Sequence, residues 1–305
     1  MSLKSRLIPV LLLKNGLLVR SQQFVTHQII GNPYNEVARF SEWCVDELIY
    51  LDITRSGDAD LRRDDLKSGD RPDFLSILET VATTCFMPLT VGGGIRSIQD
   101  MRDRFYRGAD KVTLNTLALK QPEVITRAAN MFGSQAIVLS VDVRSHPTGE
   151  YEVMGGNGTI RTGRQVEDWV REMESRGVGE VLLQSVDRDG MAGGYDCELI
   201  RRVSNAVNIP VICCSGVGRF EDYAAGIEAG ASAVAAANIW HFKELSDRQG
   251  KRALAAAGVD VRRFYVPPRP SVLRGRRRQS PSSSRSLDNR TGLNSTALQE
   301  KGALA

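Results

Sequence analysis

Short apolar runs alternate with longer mixed stretches along most of the chain. LIPVLLL, ELIYLDI, MPLTV, KVTLN, AIVLSVD, EVLLQSV, IPVICC and AVAAAN read as strands, and their near-continuous apolarity marks burial on both faces, as in a parallel sheet. Between them, YNEVARFSEWC, FLSILETVATTC, IQDMRDRFYRG, PEVITRAANMFG, QVEDWVREMESRG, CELIRRVSNAV and FEDYAAGIEAG carry helical periodicity, and several end in Gly, which suits a helix C-terminus. Eight strand–helix units in about 250 residues predict an α/β fold closed as a (β/α)8 TIM barrel.

The two halves of the chain echo each other. ELIYLDITRSGD aligns with EVLLQSVDRDGM, MPLTVGGGI with IPVICCSGV, and GADKVTLNT with GASAVAAAN. Glu47 falls over Glu180, Gly94 over Gly216 and Thr116 over Asn238, at a spacing of roughly 130 residues. The barrel is therefore expected to consist of two half-barrel repeats with corresponding sites at their strand ends. One mismatch stands out: Leu12 of RLIPVLLLKNG falls over Asp142 of AIVLSVDVRS.

Composition adds limits. The 305 residues are 42% hydrophobic and 25% charged, ordinary for a globular chain with ample core. No apolar run approaches the roughly 20 residues of a membrane helix, so no membrane span is expected. Five scattered cysteines and three separated histidines lack metal-ligand spacing, so no metal is expected, and reduced thiols point to the cytoplasm. The net charge of +4 is misleading: from Pro267 onward eight Lys or Arg face two acids, leaving the preceding body slightly acidic. The predicted division is a barrel over 1–265 and a basic Ser/Arg-rich tail over 266–305 without apolar period, expected to be disordered and solvated. RGRRRQ in that tail is compatible with an acidic partner, but nucleic acid is not expected to be one.

In such barrels the chemistry sits where strands end. VGGGIRS offers glycine-loop N–H groups to an anion, with Gly94, Asn115 and Thr116 as phosphate contacts. The second half offers Asp189 and Gly190, then Gly216 in SGVG, then Ala237 and Asn238. Together they predict a phosphorylated small molecule with an anion at each end. Asp142 lies between the two as general acid or base; Asp52 is a further mouth candidate or a structural acid. At strand starts, Arg6, Glu47, Lys111 and Glu180 form a set whose plainest reading is a salt-bridge layer on the barrel's bottom.

DELIYLDIT, TVGGGI, GADKVTLNT, FGSQAIVLSVD, GVGEVLLQSVDRDG and GYD, in this order, resemble the cyclase subunit of imidazole glycerol phosphate synthase over about residues 4–265. The resemblance implies no bound cofactor and a glutaminase docked on the bottom face, whose ammonia crosses the barrel core through a closed apolar bore. It turns Arg6, Glu47, Lys111 and Glu180 into a gate around the ammonia entrance and Asp110 into an interface acid. It implies phosphate contacts at Gly94, Asn115, Thr116, Asp189, Gly190, Gly216 and Ala237. The family's first catalytic Asp falls at Leu12, which cannot transfer a proton; the second is present as Asp142. Ser215 and Asn238 stand where glycine and serine are usual, and Arg20 where the family has a mobile lysine. The loop TRSGDADLRRDDLKSGDRP is longer and more charged than expected. LLLK resembles paralogues that serve surface-polysaccharide (lipopolysaccharide O-antigen) biosynthesis, where ammonia converts an acetamido group on a nucleotide-linked sugar into an acetamidino group with a separate sugar amidotransferase as partner. A histidine-biosynthesis cyclase, and a non-catalytic scaffold that activates a glutaminase, are the alternatives.

Overall fold

A computed structural model of the chain describes residues 4–55 and 73–262. Most of the long charged loop and the tail over 266–305 lie outside the described residues. Eight parallel strands close a barrel: β1 (Arg6–Lys14), β4 (Leu48–Asp52), β5 (Leu89–Gly92), β6 (Lys111–Leu114), β7 (Ile137–Ser145), β10 (Glu180–Ser185), β11 (Val211–Cys214) and β12 (Ala233–Ala236), with β12 pairing back to β1. All eight strands expected from the apolar runs are present.

β1 shows why those runs do not alternate. Leu7, Leu11 and Leu13 face the surrounding helices, whereas Ile8, Val10 and Leu12 face the barrel interior with Ile49, Leu51, Val138, Leu182 and Ile212. A strand with a helix layer on one side and a packed barrel on the other buries both faces.

The helices are α1 (Pro33–Trp43), α2 (Phe74–Ala82), α3 (Ile98–Tyr106), α4 (Thr116–Lys120), α5 (Glu123–Phe132), α6 (Val166–Ser175), α7 (Cys197–Ala206), α8 (Asp222–Glu228), α9 (Ile239–Phe242) and α10 (Ser246–Ala256). The side chains of Asn32, Asp73, Ser97 and Asp196 accept hydrogen bonds from first-turn N–H groups of α1, α2, α3 and α7. Such caps satisfy donors that a helix start leaves open. None of the described helices is long and apolar enough to cross a membrane.

Two antiparallel ribbons were not legible in the sequence. β2 (Leu17–Gln22) and β3 (Thr26–Gly31) extend β1, while β8 (Tyr151–Gly155) and β9 (Ile160–Gln165) extend β7. Leu12 pairs with Val19 in the first ribbon and Asp142 with Met154 in the second. The short helices α4 and α9 likewise follow corresponding strands, β6 and β12. The twofold echo thus extends to elements outside the barrel.

Candidate functional site at the barrel mouth

Asp142 sits at the C-terminal part of β7, 3% exposed, on the floor of a cavity of about 730 Å³. Gln184 Nε2, one strand over on β10, donates to Asp142 Oδ1 at 3.1 Å and lies 3.1 Å from Ser140 Oγ. Burial pushes the carboxyl up to about 7, against the hydrogen bonds from Gln184 and Asn115. A buried acid whose proton is half held at neutral pH is suited to giving and taking protons. Gln184 was missed in the sequence. The signal was its place in EVLLQS, where Glu180, Leu182 and Gln184 share one strand face.

Leu12 lies at the corresponding position on β1 and also lines the cavity, beside Val10 and Leu51. Of this symmetry-related pair of positions, then, only the one on β7 carries an acid. Asp52 lines the cavity too, but Oδ1 accepts from Thr54 N at 3.0 Å and closes the turn after β4. Burial raises its pKa, against the Thr54 hydrogen bonds.

The glycine loop after β5 lines the cavity with Gly93 and Gly94, both at positive φ. Gly93 has φ +93°, and a Cβ there would stand 1.9 Å from the Asp52 carbonyl oxygen, so only glycine fits. Arg104, buried on α3 and also missed, donates from Nη2 to Gly93 O at 2.6 Å and from Nη1 to Asp100 O at 2.9 Å. It props the loop from below. Asn115, expected to contact phosphate, lines the cavity with its carboxamide towards Asp142, and Thr116 lines it at the start of α4.

In the second half, Asp189 Oδ2 accepts from Ser21 Oγ at 2.6 Å and from Phe24 N at 3.2 Å, and Asn238 Nδ2 donates to Ser21 O at 2.9 Å. The β2–β3 ribbon is thereby tied across the second-half loops. A Cβ on Gly190 would meet Ser21 O at 2.3 Å, so glycine here admits the ribbon backbone. Ser215 takes φ +80°, the backbone form of the glycine usual there. Gly216 and Ala237 also line the cavity. Arg20 lies on β2, where its Nε donates to Gln28 Oε1 at 2.6 Å and its guanidinium stands 5.7 Å from the Phe242 ring centre.

At the opposite end, Arg6, Glu47, Lys111 and Glu180 form a closed ring. Arg6 Nη1 meets Glu47 Oε1 at 2.7 Å and Arg6 Nη2 bonds Glu180; Lys111 Nζ lies 2.9 Å from Glu180 Oε2 and 3.6 Å from Glu47 Oε2. Burial works against the Arg6 charge, but Glu180 and Glu47 outweigh it and hold the guanidinium above its ordinary range. Glu180→Gln keeps the shape and removes a charge shared by two cations. It should lower stability by about 1.5–3 kcal/mol, read from urea unfolding; an unchanged midpoint would mean that solvent already screens the ring. Asp110, beside it, accepts from Leu89 N at 2.8 Å and has an exposed side chain.

Thr113 of β6 and Ser140 of β7 put hydroxyls on the cavity wall, and Thr113 Oγ1 is buried with no hydrogen-bond partner among the described residues.

A model of the family described as histidine biosynthesis protein matches residues 6–246. The chain belongs to that family. It is 40% identical over 268 residues to the imidazole glycerol phosphate synthase subunit HisF of Gluconacetobacter diazotrophicus, covering 88% of this chain and all of the relative. It is 40% identical over 259 residues to the subunit HisF of Alkaliphilus metalliredigens, covering 85% of this chain and 98% of the relative.

Proposed function

We propose that this chain is the synthase subunit of a HisF-type glutamine amidotransferase. It receives ammonia from a glutaminase docked on the bottom face and uses it at the mouth on a phosphorylated small molecule. The observation that carries this reading is the closed Arg6–Glu47–Lys111–Glu180 ring at one end of the bore with Asp142 at the other. An ion-pair ring can part to admit a small neutral molecule and close behind it, and a bore shielded from water keeps ammonia unprotonated. At the mouth the ammonia nitrogen adds to a carbonyl carbon of the substrate: the C–N bond forms as the C=O π pair moves to oxygen, and Asp142 takes the surplus proton from nitrogen and passes it to that oxygen.

The first reading of the acceptor is that of the named relatives, the precursor of imidazole glycerol phosphate in histidine biosynthesis. The family match and the 40% identity to the named relatives support it. A second reading, amidination of a nucleotide-linked sugar in surface-polysaccharide biosynthesis, is favoured by Leu12, since a ring closure that needs two acids lacks one here. The test supplies ammonium salt and the bis-phosphorylated imidazole-carboxamide precursor to the purified chain. On the first reading the parent turns over, and Leu12→Asp raises the rate by about 10²-fold or more. Turnover only after Leu12→Asp would rule out the first reading and leave the second. The substitution buries a carboxylate beside Val10 and Leu51, so the variant's thermal midpoint should fall, most at high pH.

A further inference from the structure

Asp142 does not stand alone on its side of the mouth. Ser140, Asp142 and Gln184 all line the cavity, and Asp142 and Gln184 are direct register partners across β7 and β10. Gln184 Nε2 lies 3.1 Å from both Asp142 Oδ1 and Ser140 Oγ, so the hydroxyl anchors the amide that donates to the acid. The half-barrel echo sets Val10, Leu12 and Leu51 at the corresponding places. Leu12 and Leu51 are register partners across β1 and β4, and all three line the same cavity. The acid, its donor and its anchor are thus present together in one half and replaced together by apolar side chains in the other. All six of these residues are buried. A buried carboxamide costs free energy that only its hydrogen bonds offset. Leu51 shows that packing at this level of the barrel does not call for an amide.

We propose that Gln184 is a positioning residue for Asp142: its amide, anchored by Ser140, fixes the orientation of the carboxyl and sets how readily it holds a proton. A donor aimed at a carboxyl oxygen favours the charged form, while burial opposes it. The other groups that bear on this charge are few. Asn115 donates from the β6 side and is the weaker of the two donors, and Asp189 repels a second negative charge. The Cys214 thiol is pushed up to about 12 by burial and stays neutral. Gln184 is therefore the principal group that offsets burial and keeps the acid able to release its proton near neutral pH. The positioning role rests on Asp142 being the proton carrier of the proposed function.

The test follows the Asp142 carboxyl by NMR of the full chain, isotopically labelled at its aspartate carboxyl carbons, from about pH 5 to about pH 10. Asp142→Asn identifies the resonance. Gln184→Leu should move its titration midpoint up by about one to two pH units, a ten- to hundredfold gain in proton affinity, which is the size of a hydrogen bond to a charged group. Ser140→Ala should move it the same way by less, because the amide stays and loses only its anchor. A merely structural glutamine would change stability and leave the midpoint where it is. An unmoved or lowered midpoint in Gln184→Leu, with circular dichroism showing an intact fold, would overturn the inference. Should that variant not fold, a midpoint that does not rise in Ser140→Ala would overturn it instead. The titration is read without acceptor or glutaminase, so it can fail while ammonia transfer stands, and the reverse.

Discussion

Asp142→Asn is expected to reduce ammonia-dependent product formation by about 10²–10⁴-fold while making the chain harder to unfold above neutral pH. The first effect follows because Asn can accept from Gln184 as Asp142 does but cannot move a proton. The second follows from the raised pKa. Below about pH 4 the carboxyl is protonated in both folded and unfolded chains and contributes no difference. As pH rises from about 4 to the folded value of about 7, the unfolded chain has released its proton while the folded chain still holds it, so stability falls across that window. Above it the parent carries a buried charge that Asn lacks, a penalty of about 2–4 kcal/mol. Urea unfolding of both chains at pH 5 and pH 8 checks this: the variant's advantage should grow with pH. An output of the glutaminase complex unchanged by Asp142→Asn would instead identify the barrel as a scaffold.

Lys251→Met should destabilise the chain by about 3–5 kcal/mol. Lys251 on α10 is 2% exposed, with Nζ 2.9 Å from Asp46 Oδ1 and 3.0 Å from Asp247 Oδ1. Both oxygens lie at pairing distance but off the hydrogen-bonding direction, so the attraction is chiefly between charges. Burial lifts Asp247 to about 6 even with the lysine beside it. Methionine fills the space but leaves two buried carboxylates uncompensated. Asp247 then ionises at higher pH than before, and the loss should be larger at pH 8 than at pH 5. The consequence reaches the basal ring. Asp46 Oδ2 accepts from Leu7 N at 3.0 Å, tying the start of β1 beside Arg6 to the start of β4 beside Glu47. Denaturation midpoints at the two pH values test this; equal, small losses would mean that water enters around the cluster.

Much of this architecture is written in local pattern. Uninterrupted apolar runs such as RLIPVLLLK mark strands buried on both faces, and their number and spacing lead to a barrel. The echo between halves pairs Leu12 with Asp142, because a repeat preserves strand positions. Those features depend on period and burial, which neighbouring residues carry. The ribbons did not show. THQIIG and IRTGRQ are mostly exposed, and an exposed strand leaves no apolar period to read. Nor did the partners of the site residues. Ser21 lies 168 positions from Asp189, and Asn115 reaches Asp142 from the neighbouring strand. Only closure of the barrel brings Arg6, Glu47, Lys111 and Glu180 into one ring. Charge acts across space at a range set by distance and burial, and neither quantity exists until the strands have met.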